Sequence, residues 1–177
     1  MRYFKTIKSI SLIISLFLIT SCSNNAAMKP EDFKNKEPRL IIEEYLSGNV
    51  KAWGVLQNRS GKVTRQFSAD LNGKWDGNQL ILDEKFNWDD GETQNRQWQI
   101  TKIDKNNYEG TAGDVVGTAK GYSYGPAFKF EYVLLVPVKG KEMKITFDDW
   151  IFKQDDRVAI NRATMTKFGF KVAELTV

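Results

Sequence analysis

An all-β fold, either an antiparallel up-and-down barrel or a two-sheet sandwich, is predicted by three observations. From Val50 onward, apolar and aromatic residues alternate with period two. Asn-Gly, Asp-Gly and other glycine-containing turns interrupt that alternation roughly every ten residues. No helical period intervenes, which leaves about nine or ten short strands, preceded by one possible short helix.

Residues 1–21 read as a lipoprotein signal peptide. Arg2, Lys5 and Lys8 make a positive start, and the apolar run Ile10–Ile19 is too short and wrongly flanked to span a bilayer. Ile19-Thr20-Ser21-Cys22 has the pattern of a lipobox. Cys22 is the single cysteine of the chain. Lipidation at Cys22, by a diacyl thioether and an N-acyl chain such as palmitate, would anchor the protein stably. Ser23 follows, not Asp. By resemblance to Gram-negative sorting, that points to the periplasmic face of the outer membrane.

Residues 22–38 are polar and aperiodic, with Pro30 and Pro38, and read as the lipidated cysteine and a flexible tether. The barrel domain is then 39–177. Pro38 suits the first turn of a short helix Arg39–Leu46 stopped by Ser47-Gly48. The alternative is that Leu40–Tyr45 is already extended.

The strands follow in order. Val50–Gln57 ends at Asn58-Arg-Ser-Gly61, Val63–Leu71 ends at Asn72-Gly73, and Trp75 is followed by Asp76-Gly77. Gln79–Trp88 runs into Asp89-Asp90-Gly91. Thr93–Ile103 ends at Asp104–Asn107, Tyr108–Val115 before Gly117, and Thr118–Tyr124 at Gly125-Pro126. Phe128–Val138 ends at Lys139-Gly140, and Pro137 suggests an edge or bulge there. Met143–Lys153 and Arg157–Phe168 form a pair around Gln154-Asp155-Asp156. Phe170–Val177 is last.

Side chains alternate across a strand, so the faces can be read. Val63, Arg65, Phe67 and Leu71 share one, and Leu80, Leu82, Glu84, Phe86 and Trp88 another. Arg96, Trp98 and Ile100 are in phase, and Phe128 to Val138 presents a wholly apolar face. Met143, Ile145, Phe147, Asp149 and Ile151 align, as do Val158, Ile160, Arg162 and Thr164. The predicted interior thus carries Arg65, Glu84, Arg96, Asp149 and Arg162, a surplus of one cation. Buried charges need partners or a ligand. A one-residue bulge would reverse any of these phases.

Composition excludes several classes. With no histidine, Ser-His-Asp and Cys-His nucleophiles and histidine metal ligands are absent. A lone cysteine rules out an intrachain disulfide or a thiolate cluster. Taking Arg2, Lys5 and Lys8 from the 26 basic residues leaves 23 against 22 acidic ones. No basic stripe for nucleic acid remains.

Several motifs resemble one family of bacterial lipoproteins, that of domain of unknown function 3833. They are Tyr45-Leu-Ser-Gly48, Ala52-Trp-Gly54, Asn58-Arg-Ser-Gly61, Arg65-Gln-Phe67 and Asp89-Asp-Gly-Glu92 with Arg96 and Trp98. They continue through Tyr108-Glu-Gly110, Asp114-Val-Val-Gly117, Phe147-Asp-Asp-Trp150, Asn161-Arg162 and Lys167-Phe-Gly-Phe170. The resemblance runs from about residue 45 to the end. It implies a lipid-anchored periplasmic domain with a lipocalin-like barrel and brings no established activity. It also suggests a setting beside enzymes that modify membrane fatty acids.

Three functions are compatible with these residues. The first is binding of an anionic lipid-like ligand, a fatty acid or phospholipid, in the lumen. Arg65, Arg96 and Arg162 would take the head group, Glu84 and Asp149 would hold the arginines, and Trp98 would line the site. The same charges are equally compatible with a salt-bridge network in a filled barrel. The second is carboxylate chemistry by Asp89, Asp90, Asp114, Asp148 or Asp149, although Asp-Asp pairs at strand ends are usually turns. The third is an accessory role with a protein partner, contacted through Trp53, Trp75 and Trp150. A non-enzymatic ligand binder without cofactor or metal is the expectation.

Overall fold

The computed structural model describes residues 27–138 and 140–177. The expected signal peptide, Cys22 and the start of the expected tether lie outside the described residues. Ten antiparallel strands form a closed up-and-down barrel of the lipocalin-like kind, not a sandwich. They are β1 (Gly48–Asn58), β2 (Val63–Trp75), β3 (Gln79–Trp88), β4 (Thr93–Lys102), β5 (Asn107–Thr111), β6 (Ala119–Tyr124), β7 (Ala127–Val138), β8 (Lys141–Lys153), β9 (Ala159–Lys167) and β10 (Phe170–Thr176). Each strand pairs with the next. The seam is β1 with β10, from Val55–Thr176 to Asn58–Ala173. Closure removes the free edges that an open meander would expose.

The hairpins divide between two ends. At the floor, β2–β3, β4–β5, β6–β7 and β8–β9 turn around a plug formed by the N-terminal segment. A 3₁₀ turn (Pro30–Phe33) lies against β6 and β7. A single helical turn, α1 (Ile42–Tyr45), follows. Leu40, Ile42 and Leu46 enter the barrel and join Leu80, Leu82, Ile100, Tyr108 and Phe128 in the core. Each such apolar side chain contributes about 1.5–3 kcal/mol on burial. The backbone of the plug is satisfied as well. Leu40 N–H donates to Gly125 O at 2.8 Å, and Ser123 Oγ donates to Leu40 O at 2.9 Å. Ring closure, floor and core are all made by residues 30–177, so this stretch is a self-sufficient folding unit.

Four expectations are corrected here. The helix is one turn rather than Arg39–Leu46, because Leu40 stays extended to reach the core. Within the expected tether, Phe33 packs on Trp150 and Phe152 at 6.0 and 5.6 Å between ring centroids. Asn72-Gly73 is not a turn, since β2 runs through it and turns at residues 76–78. Gly73 serves the plug, because a Cβ there would lie 1.9 Å from Leu46 O. Finally, β5 ends at Thr111, and residues 112–118 cross the wall as a loop. β4 pairs with β5 only from Gln99 onward, and the loop fills the remaining gap through Val116 N–H to Val133 O and Leu135 N–H to Asp114 O. Pro137 accordingly sits on the part of β7 that has β8 as its strand neighbour and no pairing with β6.

Candidate functional site: a polar belt below an open mouth

The inward positions on β2, β3, β4, β7 and β8 are those the alternation predicts. Below the middle of the barrel Leu80, Leu82, Ile100 and Phe128 are buried, with Leu71, Trp75 and Ile151 half-buried around them. Above it, Phe67, Leu134, Ile145, Phe147 and Ala163 are buried as well, while Leu56, Phe86, Trp88, Val136, Met143 and Met165 point to the axis yet remain only half-buried. Water therefore reaches an apolar wall at the mouth end. Between the two halves lies a belt of polar groups.

Arg96 is the centre of the belt. Its Nε and Nη2 donate to the Asp114 carboxylate at 2.7–3.1 Å, and its Nη1 lies 3.7 Å from Glu84 Oε2. Burial works against the guanidinium charge, but these two carboxylates more than restore it. Glu84 is opposite Arg96 in the β3–β4 register. Its Oε2 is buried with no hydrogen-bond partner. Burial pushes its carboxyl up to about 7; Arg96 opposes that shift, while Asp149 and Asp114 add to it. Asp149 accepts from Tyr132 Oη at 2.9 Å and from Asn161 Nδ2. Burial still holds its carboxyl above the usual range. Trp98 packs between Phe130 and Tyr132, at 5.0 and 5.2 Å, and separates belt from floor.

Arg65 lies inward but higher, at the rim. Its Nη2 donates to Asp90 Oδ1 and Glu92 Oε2, both at 2.8 Å. Its guanidinium stacks 4.0 Å from the Trp88 ring, and its Nε is buried without a partner. The belt and the rim are thus two sites, not one.

Arg162 does not belong to either. Its side chain is 61% exposed and pairs with Glu174 at 2.7 Å on the outer wall. The phase of β9 is the reverse of the predicted one. Register sets Ala163 opposite Asp149 and Met165 opposite Phe147, so Asn161, Ala163 and Met165 face in while Val158 and Ile160 are exposed. Asn161 Nδ2 also donates to Trp150 O at 2.9 Å, a bond unavailable in the other phase. Without Arg162 the predicted interior charges balance, and the unpredicted Asp114 beside Arg96 adds one negative charge. Arg65 and Arg96 face Glu84, Asp149 and the loop carboxylate Asp114, so the predicted cation surplus is a deficit.

The carboxylates considered for catalysis are dispersed. Asp89 and Asp90 sit on the β3–β4 hairpin, Asp114 is tied to Arg96, and Asp148 faces outward 3.5 Å from Lys129. Among the described residues, no group of three or more His, Cys, Asp or Glu is placed to hold a metal ion. Of the three tryptophans considered for a partner, Trp53 is 68% exposed. Trp75 packs against the core, and Trp150, though outward in phase, is buried beneath Phe33.

Sequence reasoning missed a further buried charge at the floor. Glu43 accepts from Tyr108 Oη at 2.8 Å and from Lys102. Burial raises its pKa, but these bonds outweigh burial and hold the carboxyl below its ordinary value. Glu43 lies in the segment read as a short helix, and nothing local marks it as buried. Asp114 had a better signal, since it precedes a Val-Val pair that a wall-crossing loop must anchor. A cleft of about 550 Å³ reaches it, lined by Arg96 and Asp114 themselves and by Gln94, Gln97, Gln99 and Thr111.

No curated protein matches this chain in sequence. Residues 16–177 match the model of a family described as Protein of unknown function (DUF3833), and the chain belongs to that family.

Proposed function

We propose that this is a non-enzymatic, lipid-anchored periplasmic protein whose half-open barrel holds a lipid-like anionic ligand, a fatty acid or phospholipid. The observation that carries the reading is the half-buried apolar wall above the belt. Leu134, Ile145 and Phe147 are already buried there, so the room for a ligand lies on the side of the half-buried Leu56, Phe86, Val136 and Met165. An acyl chain against Leu56, Phe86, Val136 and Met165 would remove them from water.

The anion site of this reading is the rim, not the belt. Arg96 is occupied by Asp114 and Glu84. Arg65 has a free buried Nε, and its partners Asp90 and Glu92 are about half exposed. Those carboxylates can turn to water when a ligand head group takes the guanidinium. The lipobox ending at Cys22 supports the anchor and the outer-membrane location.

The test is native mass spectrometry of residues 27–177 purified without detergent, then organic extraction. A reproducible fatty-acid or phospholipid adduct is expected, lost in Ala52→Phe, which fills the open half, and weakened in Arg65→Gln. A bare protein that takes up no added fatty acid would sink the reading. The second reading, a filled barrel that binds a protein partner, is favoured by one observation, the exposure of Trp53.

A further inference from the structure

The tip of the β9–β10 hairpin breaks two local rules at once. Phe168 has a φ of 51°, in the left-handed region that bulky residues avoid. It is also 88% exposed, and Phe170 beside it is 69% exposed. Gly169 shares the turn with a φ of 79°, so a two-residue hairpin here asks for Asn-Gly. A strained backbone under an aromatic that touches little is poor folding design, and such strain persists where something else uses the residue.

The surroundings say what uses it. The β1–β2, β9–β10 and β7–β8 hairpins are neighbours at the mouth, because β1, β10, β9, β8 and β7 are consecutive in the ring. They carry Arg59, Lys62, Lys141, Lys167 and Lys171, with Glu142 as their exposed acidic residue and the less exposed Glu174 paired with Lys171 at 2.5 Å. Lys167 Nζ lies 5.3 Å from the Phe168 ring centroid. The acidic hairpin, Asp89-Asp90-Gly91-Glu92, is across the mouth on β3–β4. Aromatic tips set among lysines fit the interface of an anionic bilayer, where rings enter the acyl boundary and ammonium groups meet phosphates.

We propose that the β9–β10 hairpin docks the mouth onto an anionic lipid surface, with Phe168 and Phe170 inserted and Lys167 and Lys171 against the head groups. This contact is separate from the expected anchor, which joins the chain at the floor. It gives the proposed ligand a dry path between bilayer and lumen, and in that purpose it rests on the lipid-binding reading. Its test does not.

The test is flotation of residues 27–177 with phosphatidylcholine vesicles, with and without phosphatidylglycerol. Binding is expected to the phosphatidylglycerol vesicles and to weaken with salt. Phe168→Ser and Phe170→Ser should each lose at least about tenfold in partitioning. Lys167→Gln with Lys171→Gln should abolish the preference for anionic vesicles. Phe168→Asn suits the turn, so its Tm should rise while its vesicle binding falls. A hairpin serving only the fold would leave binding unmoved in all four variants. No binding by the unaltered protein, or equal binding by the Phe168 and Phe170 variants, overturns the proposal. Ala52→Phe separates the two readings. If only the lumen reading fails, this variant and the unaltered protein still float. If only the docking fails, fatty acid is still taken up from solution.

Discussion

At the floor, Leu40, Ile42, Leu80 and Phe128 meet at the axis and exclude water completely. At the mouth, Leu56, Phe86, Met143 and Met165 point to the same axis and stay half-exposed. The strands are common to both ends, so the difference comes from what lies between them. The floor has the N-terminal plug, and the mouth has no counterpart among the described residues. Charge follows the same division. The floor carboxylate, Glu43, is held ionised by Lys102 and Tyr108. The belt carboxylates, Glu84 and Asp149, sit below the open half and resist ionisation. One end buries its apolar side chains around the plug, and the other buries Leu134, Ile145 and Phe147 but leaves the side chains nearest the opening half-buried.

The largest effect that could break this contrast is at the floor. Phe128→Ala should cost about 3–5 kcal/mol in denaturant unfolding, against about 1 kcal/mol or less for Phe86→Ala at the mouth. Equal losses would mean that both halves are filled. Arg96→Ala should come next, at about 3 kcal/mol, because it leaves Glu84 and Asp114 buried without their cation. Adding Glu84→Gln should recover part of that loss, and no recovery would place the cost in packing alone.

The pH dependence sharpens the comparison. Burial pushes the Glu84 carboxyl up to about 7 in the folded protein, against 4.5 for an ordinary glutamate. Its contribution to stability is full below 4.5 and lost as pH rises through 7, on the order of 2–3 kcal/mol. Asp149 acts in the same direction. Glu43 has the opposite sign, because its folded value is depressed, so its contribution is lost as pH falls below the ordinary carboxylate range. Stability measured against pH should decline between 4.5 and 7 in the unaltered protein and flatten in Glu84→Gln. An unchanged slope in the variant would remove Glu84 from the account. The smallest effect is expected for Arg162→Ala, within about 0.5 kcal/mol and with no change in ligand retention.

Most of the architecture was legible because alternation and turn chemistry are local signals. The inward sets on β2, β3, β4, β7 and β8 follow from them, and with these Arg65, Glu84, Arg96, Trp98 and Asp149. Arg162 was misplaced for a physical reason. Val158 and Ile160 made the wrong face of β9 look apolar, while the correct face is set by non-local fit. Ala163 sits between Asp149 on β8 and Leu175 on β10, its partners in the register. The meeting of Arg96 with Asp114 was equally illegible, since it depends on β5 stopping early and a loop spanning the gap. Gly73 and Glu43 mislead alike. Each looks like surface grammar and answers to the plug.

The seam has a kinetic consequence. Val55 must find Thr176, almost the whole domain away in sequence, while every other strand pair is a neighbour along the chain. Hairpins of that kind form in microseconds, but a ring closed by so distant a pair belongs with the slow, high-contact-order folds that take milliseconds to seconds. Until the seam zips, β1 and β10 are sticky edges that a second copy could occupy as readily as the proper partner. Chaperone protection during that interval, and not the final stability of the barrel, is then what would limit its yield.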